Sequence, residues 1–190
     1  MKKLSLFTVL ILALLIVGVV SAAGPPVESE GDIHGFGPDP REPGPGASAT
    51  LTRHNGTVRY NITTNNLDAG AAYTNWWVIW NDPTHCTDIP IEGCDGTDLG
   101  VDGSSVLWAT GRVLNNHGDA QFNALLHENS APGQVLFGPG LTDAENAEIH
   151  VVIQAHGQVN PMHVYEQTHY VEAGCNPTCV DQQAVAFPLP

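Results

Sequence analysis

Regular alternation of apolar and polar residues is the feature that most constrains the fold of this chain. Apolar residues occupy every second position from Ala47 to Thr52 and again from Val58 to Thr63. A period of two places successive side chains on opposite faces of a β-strand. The two segments flank Asn55-Gly56, a residue pair that favours the type I′ turn of a tight hairpin. The sequence therefore predicts a β-hairpin at the start of a folded domain.

The segments that follow continue this β pattern. The segment from Ala72 to Asn81 is apolar on both faces, which is typical of a strand covered on each side within a sheet. Nowhere does an apolar pattern of period 3.6 persist for three turns. Further strands are predicted at Val106–Leu114, Ala120–His127, Gln134–Phe137, Glu148–His156, His163–Val171 and Gln183–Phe187. About eight or nine short strands with regular turn signals predict an all-β fold, an antiparallel sandwich or barrel over residues 47–190.

The N-terminal residues have the layout of an export signal. Lys2 and Lys3 precede an apolar run from Leu4 to Val20, and small residues follow it. This arrangement predicts a signal peptide over residues 1–23, with cleavage after Ala22 or Ala23. An uncleaved signal anchor is the alternative, because the apolar run is long for a signal peptide, although it is short for a membrane-spanning helix of about 20 residues. No cysteine follows the run, so a lipid anchor at a lipobox-type cysteine is excluded.

Two features of the remaining chain concern its organisation and its partners. Residues 24–46 are dominated by Pro and Gly, a composition that predicts a tether or lead-in to the domain. Beyond the leader the only fixed positive charges are Arg41, Arg53, Arg59 and Arg112, against 20 acidic residues. Nucleic acid and anionic lipid are bound through Lys and Arg, so this charge balance excludes nucleic acid as a partner.

All four cysteines lie beyond the leader, at positions 86, 94, 175 and 179. An even number in an exported chain predicts two disulfides. Of the three possible pairings, the short spacings favour Cys86–Cys94 and Cys175–Cys179. A zinc site is the alternative, although neither pair has the two-residue spacing of a zinc knuckle. The disulfides and the leader together predict a secreted or other extracytoplasmic location.

Histidines supply the candidate metal site. If Glu148–His156 and His163–Val171 are paired strands, His150, His156, His163 and His169 lie on faces that can meet across the pair. Three neutral imidazoles around one ion form a Zn²⁺ or Cu²⁺ site, so copper or zinc is the candidate cofactor. The alternative is that each histidine is a half-buried polar residue bonded to its own surroundings.

Several blocks of the sequence resemble an uncharacterised family of exported bacterial and archaeal proteins. These blocks are Ala72–Pro83 followed by Cys86, Phe137–Leu141, Ala147–His150 with His156-Gly157, Glu166–His169, Gly174-Cys175 and Cys179–Gln183. The resemblance runs from about Ala47 to Phe187, nearly the whole predicted domain. It implies a common fold and export, and no activity, because the family has no assigned function.

A looser similarity is to the CHRD domain, a sandwich related in shape to copper–zinc superoxide dismutase. It depends on the order of strands around Ala47–Leu51 and Val58–Leu67. The His-x-His pattern usual after the third strand of that family is replaced here by Trp76-Trp77-Val78-Ile79. The similarity therefore implies a Greek-key or superoxide-dismutase-like sandwich. It does not imply metal ligands, because the His-x-His pattern is missing.

These observations favour a secreted, non-catalytic β-sandwich domain over an enzyme. There is no serine in a G-x-S-x-G context, no redox C-x-x-C and no phosphate-binding glycine loop. The expected role is an extracellular binding or envelope-associated module, with an extracellular ligand or a cell-envelope component as its partner. The alternative is a copper- or zinc-binding protein with a histidine cluster that can be redox-active.

Overall fold

A computed structural model describes residues 24–87 and 93–187, together with Leu189. The predicted signal peptide, residues 1–23, lies outside the described residues. Within them the chain forms nine antiparallel strands and one short α-helix, α1, at Val164–His169, which confirms the predicted all-β antiparallel class. The strands are β1 (Val27–Gly35), β2 (Ser48–Arg53), β3 (Thr57–Thr64), β4 (Ala71–Trp80), β5 (Ser104–Val113), β6 (Ala120–His127), β7 (Val135–Phe137), β8 (Glu148–Gln158) and β9 (Val180–Phe187).

The strands form one curled sheet in the order β6-β3-β2-β1-β9-β8-β4-β5-β7. Strand β1 joins the two halves of this sheet. Its residues 27–31 pair with β2, and its residues 32–35 pair with β9. The hairpin predicted around Asn55-Gly56 joins β2 to β3, and both turn residues have positive φ, 51° and 67°, as a type I′ turn requires.

The prediction that residues 24–46 form a tether is wrong for Val27–Gly35, which is the strand β1. This strand contains only two large apolar residues, Val27 and Ile33, so its composition resembles that of a linker. Backbone hydrogen bonds to β2 and β9 hold it in the sheet, and these bonds leave no signal in the side-chain pattern. The folded domain therefore begins well before residue 47.

Both halves of the curled sheet contribute to one hydrophobic core. Leu51, Tyr60 and Ile62 come from one half, and they pack with Trp77 and Val151 from the other half. The rings of Tyr60 and Trp77 meet edge to face, with centroids 4.7 Å apart. Each large side chain buried in this way contributes roughly 1.5–3 kcal/mol to stability. The inner face of the sheet is thus the main stabilising element.

Strand β4 is buried along its whole length, as predicted from its apolar residues on both faces. Trp77 and Ile79 point into the main core, whereas Trp76, Val78 and Trp80 point to the outer face of the sheet. There they form a second cluster with the disulfide-bonded Cys86 and Cys94 and with Val106. In the described part of the chain, the outer face of β4 around this cluster is therefore covered by a disulfide-bonded loop rather than by a second sheet.

The two predicted disulfides, Cys86–Cys94 and Cys175–Cys179, are confirmed. Each closes a small loop on the outer side of the sheet, with sequence separations of 8 and 4. Disulfides persist in oxidising compartments, so they indicate an environment outside the cytoplasm. Helices with the length and apolar character needed to span a bilayer are absent from the described part of the chain.

The strand predicted at His163–Val171 is wrong, because Val164–His169 forms the helix α1. Over so few residues, alternating apolar residues do not distinguish a strand from a turn and a half of helix. Contacts with the sheet decide the outcome. The buried Gln167 donates to the backbone oxygens of His156 and Gln158. Gly111 on β5 allows α1 to approach, since a Cβ there would lie 2.0 Å from the carbonyl oxygen of Thr168.

We predict that the substitution Gly31→Ala destabilises the protein by about 1–3 kcal/mol, because it overpacks the junction between the two halves of the sheet. A Cβ at position 31 would lie 2.7 Å from the ring of Phe187 and 2.8 Å from Cγ1 of Val185, and both side chains are fully buried. Urea denaturation followed by tryptophan fluorescence measures the change.

The matched control is Gly96→Ala, where an added Cβ meets nothing within 4 Å. This variant is expected to lie within about 0.5 kcal/mol of the wild-type protein. Equal stability of the two variants would contradict the assigned role of Gly31.

Candidate functional site

A cavity of about 560 Å³ lies on the outer face of the sheet, and we call it the outer pocket. Most of its wall is apolar, and the side chains that define it include Trp76, Trp80, Val106, Phe137, Val152 and Ala186. Its volume falls within the range of roughly 300–1,000 Å³ found for small-molecule sites. The predominantly apolar lining also fits that class of site.

The register of three neighbouring strands builds the floor of the outer pocket. Trp76 and Val78 on β4 lie opposite Val152 and His150 on β8. His150 in turn lies opposite Ala186 on β9. Because alternate residues share a face, these side chains form one continuous patch. Gln154 and His156 also lie on the side of β8 away from the main core, since the alternate residues of this strand belong to that core.

One polar pair at the pocket joins the lining residue His150 to Glu148. Nε2 of His150 lies 2.9 Å from Oε1 of Glu148, a carboxylate oxygen that also accepts the backbone N–H of Cys94 at 2.8 Å. The imidazole ring meets Trp80 edge to face, with centroids 5.0 Å apart. His150 is therefore held by a carboxylate on one side and by an indole on the other.

A second polar pair lies in the same wall. Nε2 of the buried Gln154 donates to Oδ1 of Asp181 at 3.1 Å. Burial raises the pKa of the Asp181 carboxyl, and the hydrogen bond from Gln154 opposes that shift. Within the described residues, Oε1 of Gln154 is buried and has no hydrogen-bond partner. Gln154 thus keeps unused hydrogen-bonding capacity in an otherwise apolar wall.

The four histidines predicted as metal ligands are not brought together, because the strand pairing on which that prediction depended does not exist. His150 is paired with Glu148. His163 is exposed at the N-terminal end of α1, with Nδ1 3.9 Å from a carboxylate oxygen of Glu166. The ring of His169 stacks on both Trp108 and Tyr165, with centroid distances of 5.0 and 4.2 Å. Of the four, only His156 belongs to a group of three potential ligands within the described residues.

His156 is fully buried and lies in a continuous hydrogen-bonded chain. Its Nε2 is 2.9 Å from the hydroxyl oxygen of Thr74, which also accepts the indole N–H of Trp76 at 2.9 Å. Its Nδ1 is 3.1 Å from the carbonyl oxygen of Ala173. Burial lowers the pKa of His156, and the bond to Ala173 opposes that shift. The imidazole is therefore neutral near pH 7.

The group that contains His156 is completed by Cys175 and Cys179, with one ligand atom from each residue within 4.8 Å of the others. Nδ1 of His156 lies 3.1 Å from Sγ of Cys179. Both sulfurs form the Cys175–Cys179 disulfide. Zinc and copper bind the thiolate form of cysteine, so the disulfide form of this group has one metal-binding atom, on the imidazole.

A further cleft of about 510 Å³ lies between β3, β5 and β6. Its lining includes Thr63, Asn65, Arg112, Asp119 and Gln121, so it is mainly hydrophilic. Such a cleft offers little apolar area to an incoming molecule. The outer pocket is therefore the stronger candidate for a binding site.

Sequence reasoning did not find the outer pocket, although one signal for it was present. The apolar residues on both faces of β4 predicted a cover over each face. They did not show that the cover over Trp76, Val78 and Trp80 leaves a cavity. Comparisons of the chain with family models, with curated proteins and with solved structures find no match.

We predict that His156 makes the protein less stable as the pH falls below about 6.5, the usual pKa of histidine in an unfolded chain. In that range the unfolded state binds a proton at this residue, whereas the folded state, with its lowered pKa, does not. The free energy of unfolding therefore falls by up to about 1.4 kcal/mol per pH unit. Above this range His156 is neutral in both states and contributes no pH dependence.

Urea denaturation at a series of pH values between about 8 and 5 measures this dependence. The matched control is His156→Gln, which cannot titrate and should show a smaller loss of stability on acidification. Asp181, whose raised pKa acts in the opposite direction at lower pH, is present in both proteins and cancels in the comparison. An identical pH dependence in the two proteins would contradict this prediction.

Proposed function

We propose that this chain is an exported, non-catalytic protein that binds a small, neutral and largely apolar molecule in the outer pocket. The observation that carries the proposal is the pocket itself, a cavity of about 560 Å³ with an apolar wall and only a few polar groups. Export is part of the proposal and is supported by the predicted leader over residues 1–23 and by the two disulfides. Membership of the uncharacterised exported family is proposed with it.

Apolar side chains at the surface around the pocket support an apolar ligand. Phe36, Leu99, Leu136 and Phe137 line the pocket and keep between 38% and 40% of their surface exposed. A cluster of exposed apolar side chains beside a cavity is typical of a binding site. Covering them stabilises a complex by roughly 25 cal/mol for each Å² of apolar surface removed from water. A ligand that fills the cavity and touches these side chains gains that stabilisation.

The charges around the pocket disfavour an anionic ligand. Among the described residues that line it there is no Lys or Arg, whereas Asp95 and Asp181 are both present. An anionic ligand would lose its hydration there without gaining a cationic partner. A neutral molecule avoids this cost, and a polar group on it can reach the hydrogen-bonding side chains of His150 and Gln154 in the wall.

The polar pairs of the pocket support binding rather than catalysis. His150 is already bonded to Glu148, and Gln154 to Asp181. Covalent catalysis needs a nucleophile activated by a neighbouring base. The described lining residues include no serine, threonine, tyrosine or lysine, and their one cysteine, Cys94, is in a disulfide. These groups are suited to orienting a bound molecule.

We predict that the neutral dye N-phenyl-1-naphthylamine binds the protein with increased fluorescence, because its fused rings match the apolar wall. The substitution Ala186→Phe places a ring inside the pocket and should weaken dye binding by about fivefold or more. Fluorescence titration measures the affinity of each protein, and circular dichroism confirms that each variant is folded.

Two controls define the result. Thr50→Phe adds the same ring at a partly exposed position of β2, in the other half of the sheet, and should leave the affinity unchanged. The anionic dye 8-anilinonaphthalene-1-sulfonate differs from the neutral dye by its sulfonate and should bind more weakly by about fivefold or more. Equal effects of the two substitutions would overturn the location of the site. Tighter binding of the anionic dye would overturn the choice of a neutral ligand.

A further inference from the structure

The disulfide between Cys175 and Cys179 lies beside the imidazole of a histidine. Nδ1 of the fully buried His156 lies 3.1 Å from Sγ of Cys179. Cys175 and Cys179 are partly exposed, and Asn176, Pro177 and Thr178 between them are exposed. Cys86 and Cys94 are only 7% and 1% exposed. An external thiol therefore has access to one disulfide and little access to the other.

The hydrogen bonds of His156 determine which ring nitrogen carries its proton. Nδ1 lies 3.1 Å from the carbonyl oxygen of Ala173, which can only accept a hydrogen bond, so Nδ1 carries the hydrogen. In the neutral imidazole Nε2 is then an acceptor, and the hydroxyl of Thr74 donates to it at 2.9 Å. The single Nδ1–H group thus lies between two acceptors, the carbonyl oxygen of Ala173 and Sγ of Cys179, each 3.1 Å away.

We propose that Cys175–Cys179 is a redox-active disulfide that exchanges with dithiols, and that His156 acts as a positioning residue by donating a hydrogen bond to the departing Cys179 thiolate. This activity is independent of ligand binding in the outer pocket. Its partner is defined by chemistry, as an external molecule or protein that carries two neighbouring thiols. The electron acceptor is the Cys175–Cys179 disulfide already present in the folded chain.

The exchange proceeds in two balanced steps. A thiolate of the dithiol attacks Sγ of Cys175, forming a mixed disulfide, and the electron pair of the broken S–S bond remains on Cys179 as a thiolate. The second thiol of the partner then attacks the partner sulfur that is bonded to Cys175 in the mixed disulfide. This step releases Cys175. The partner ends as a disulfide, and the two electrons and two protons that it loses reduce Cys175 and Cys179 to thiols.

The surroundings of the two sulfurs determine the direction of attack. Sγ of Cys175 lies in an exposed position, 3.5 Å from the backbone oxygen of Glu172. Sγ of Cys179 lies on the partly buried side, against the imidazole. Attack at Cys175 leaves the charge on Cys179, where the Nδ1–H donor stabilises it. Attack at Cys179 would leave the charge beside a carbonyl oxygen instead.

Dithiothreitol, a small neutral dithiol, tests the proposal on the intact folded protein. Samples are quenched with acid after increasing times, new thiols are alkylated, and peptide mass spectrometry gives the reduction rate of each disulfide. We expect Cys175–Cys179 to be reduced about tenfold faster, or more, than Cys86–Cys94. In about 6 M guanidinium chloride the two rates should become similar, since the fold no longer distinguishes them. Similar rates in the folded protein would overturn the proposal.

Two variants distinguish the effect of the His156 hydrogen bond on the reduction rate from the effect of the solvent exposure of the disulfide. His156→Phe keeps a ring and removes the donor, so the reduction of Cys175–Cys179 should slow by about tenfold, the effect of one hydrogen bond to a charged sulfur. His156→Gln restores an N–H donor and should recover part of the rate. An unchanged rate for Cys86–Cys94 shows that each variant is folded. A His156→Phe protein that exchanges as fast as wild type would overturn the role of His156.

If His156→Phe does not fold, Thr74→Val replaces it. This change removes the hydroxyl that donates to Nε2, which is one of the two contacts, with the carbonyl oxygen of Ala173, that favour the proton on Nδ1. The expected result is a rate for Cys175–Cys179 several-fold below that of the wild type, with Cys86–Cys94 unaffected. A wild-type rate in this variant would also overturn the proposal.

Discussion

Burial of strand β4 on both of its faces is the constraint on which the other features of this protein depend. Trp77 and Ile79 on one face pack into the main core. Trp76 and Trp80 on the other face leave only 2% of their surface exposed, although the described residues form no second sheet over them. Exposing two indoles to water would cost several kcal/mol, so the chain has to cover this face by other means.

The cover is built from short segments that cannot fold alone, and specific contacts hold them in place. The Cys86–Cys94 loop packs against Trp76, Val78 and Trp80. Elsewhere on the same face, α1 docks over β4 and β5. There Trp108 donates its indole N–H to the backbone oxygen of Thr168 at 2.9 Å. Between these segments the cover is incomplete, and the space left over the tryptophans is the outer pocket. The candidate site is thus a direct result of how β4 is buried.

The sequence predicted most of the strands because alternation reports directly on which side chains face a core. It predicted β6 residue for residue, as well as both disulfides. It missed β1, whose pairing depends on backbone hydrogen bonds, and it mistook α1 for a strand. The prediction of a histidine cluster was wrong because it required residues 163–171 to form a strand paired with β8, whereas they contain α1. His156 beside Cys179 was missed since the contact joins residues 23 positions apart through a loop.

We propose that the outer pocket holds a small apolar molecule, and a crystal structure of the protein grown with N-phenyl-1-naphthylamine would show directly whether it does. If this proposal is correct, we expect electron density for the dye against Trp76, Trp80 and Phe137, with its N–H group directed to the wall that contains His150 and Gln154. Density elsewhere on the molecule, or an outer pocket closed by its own side chains, would contradict it.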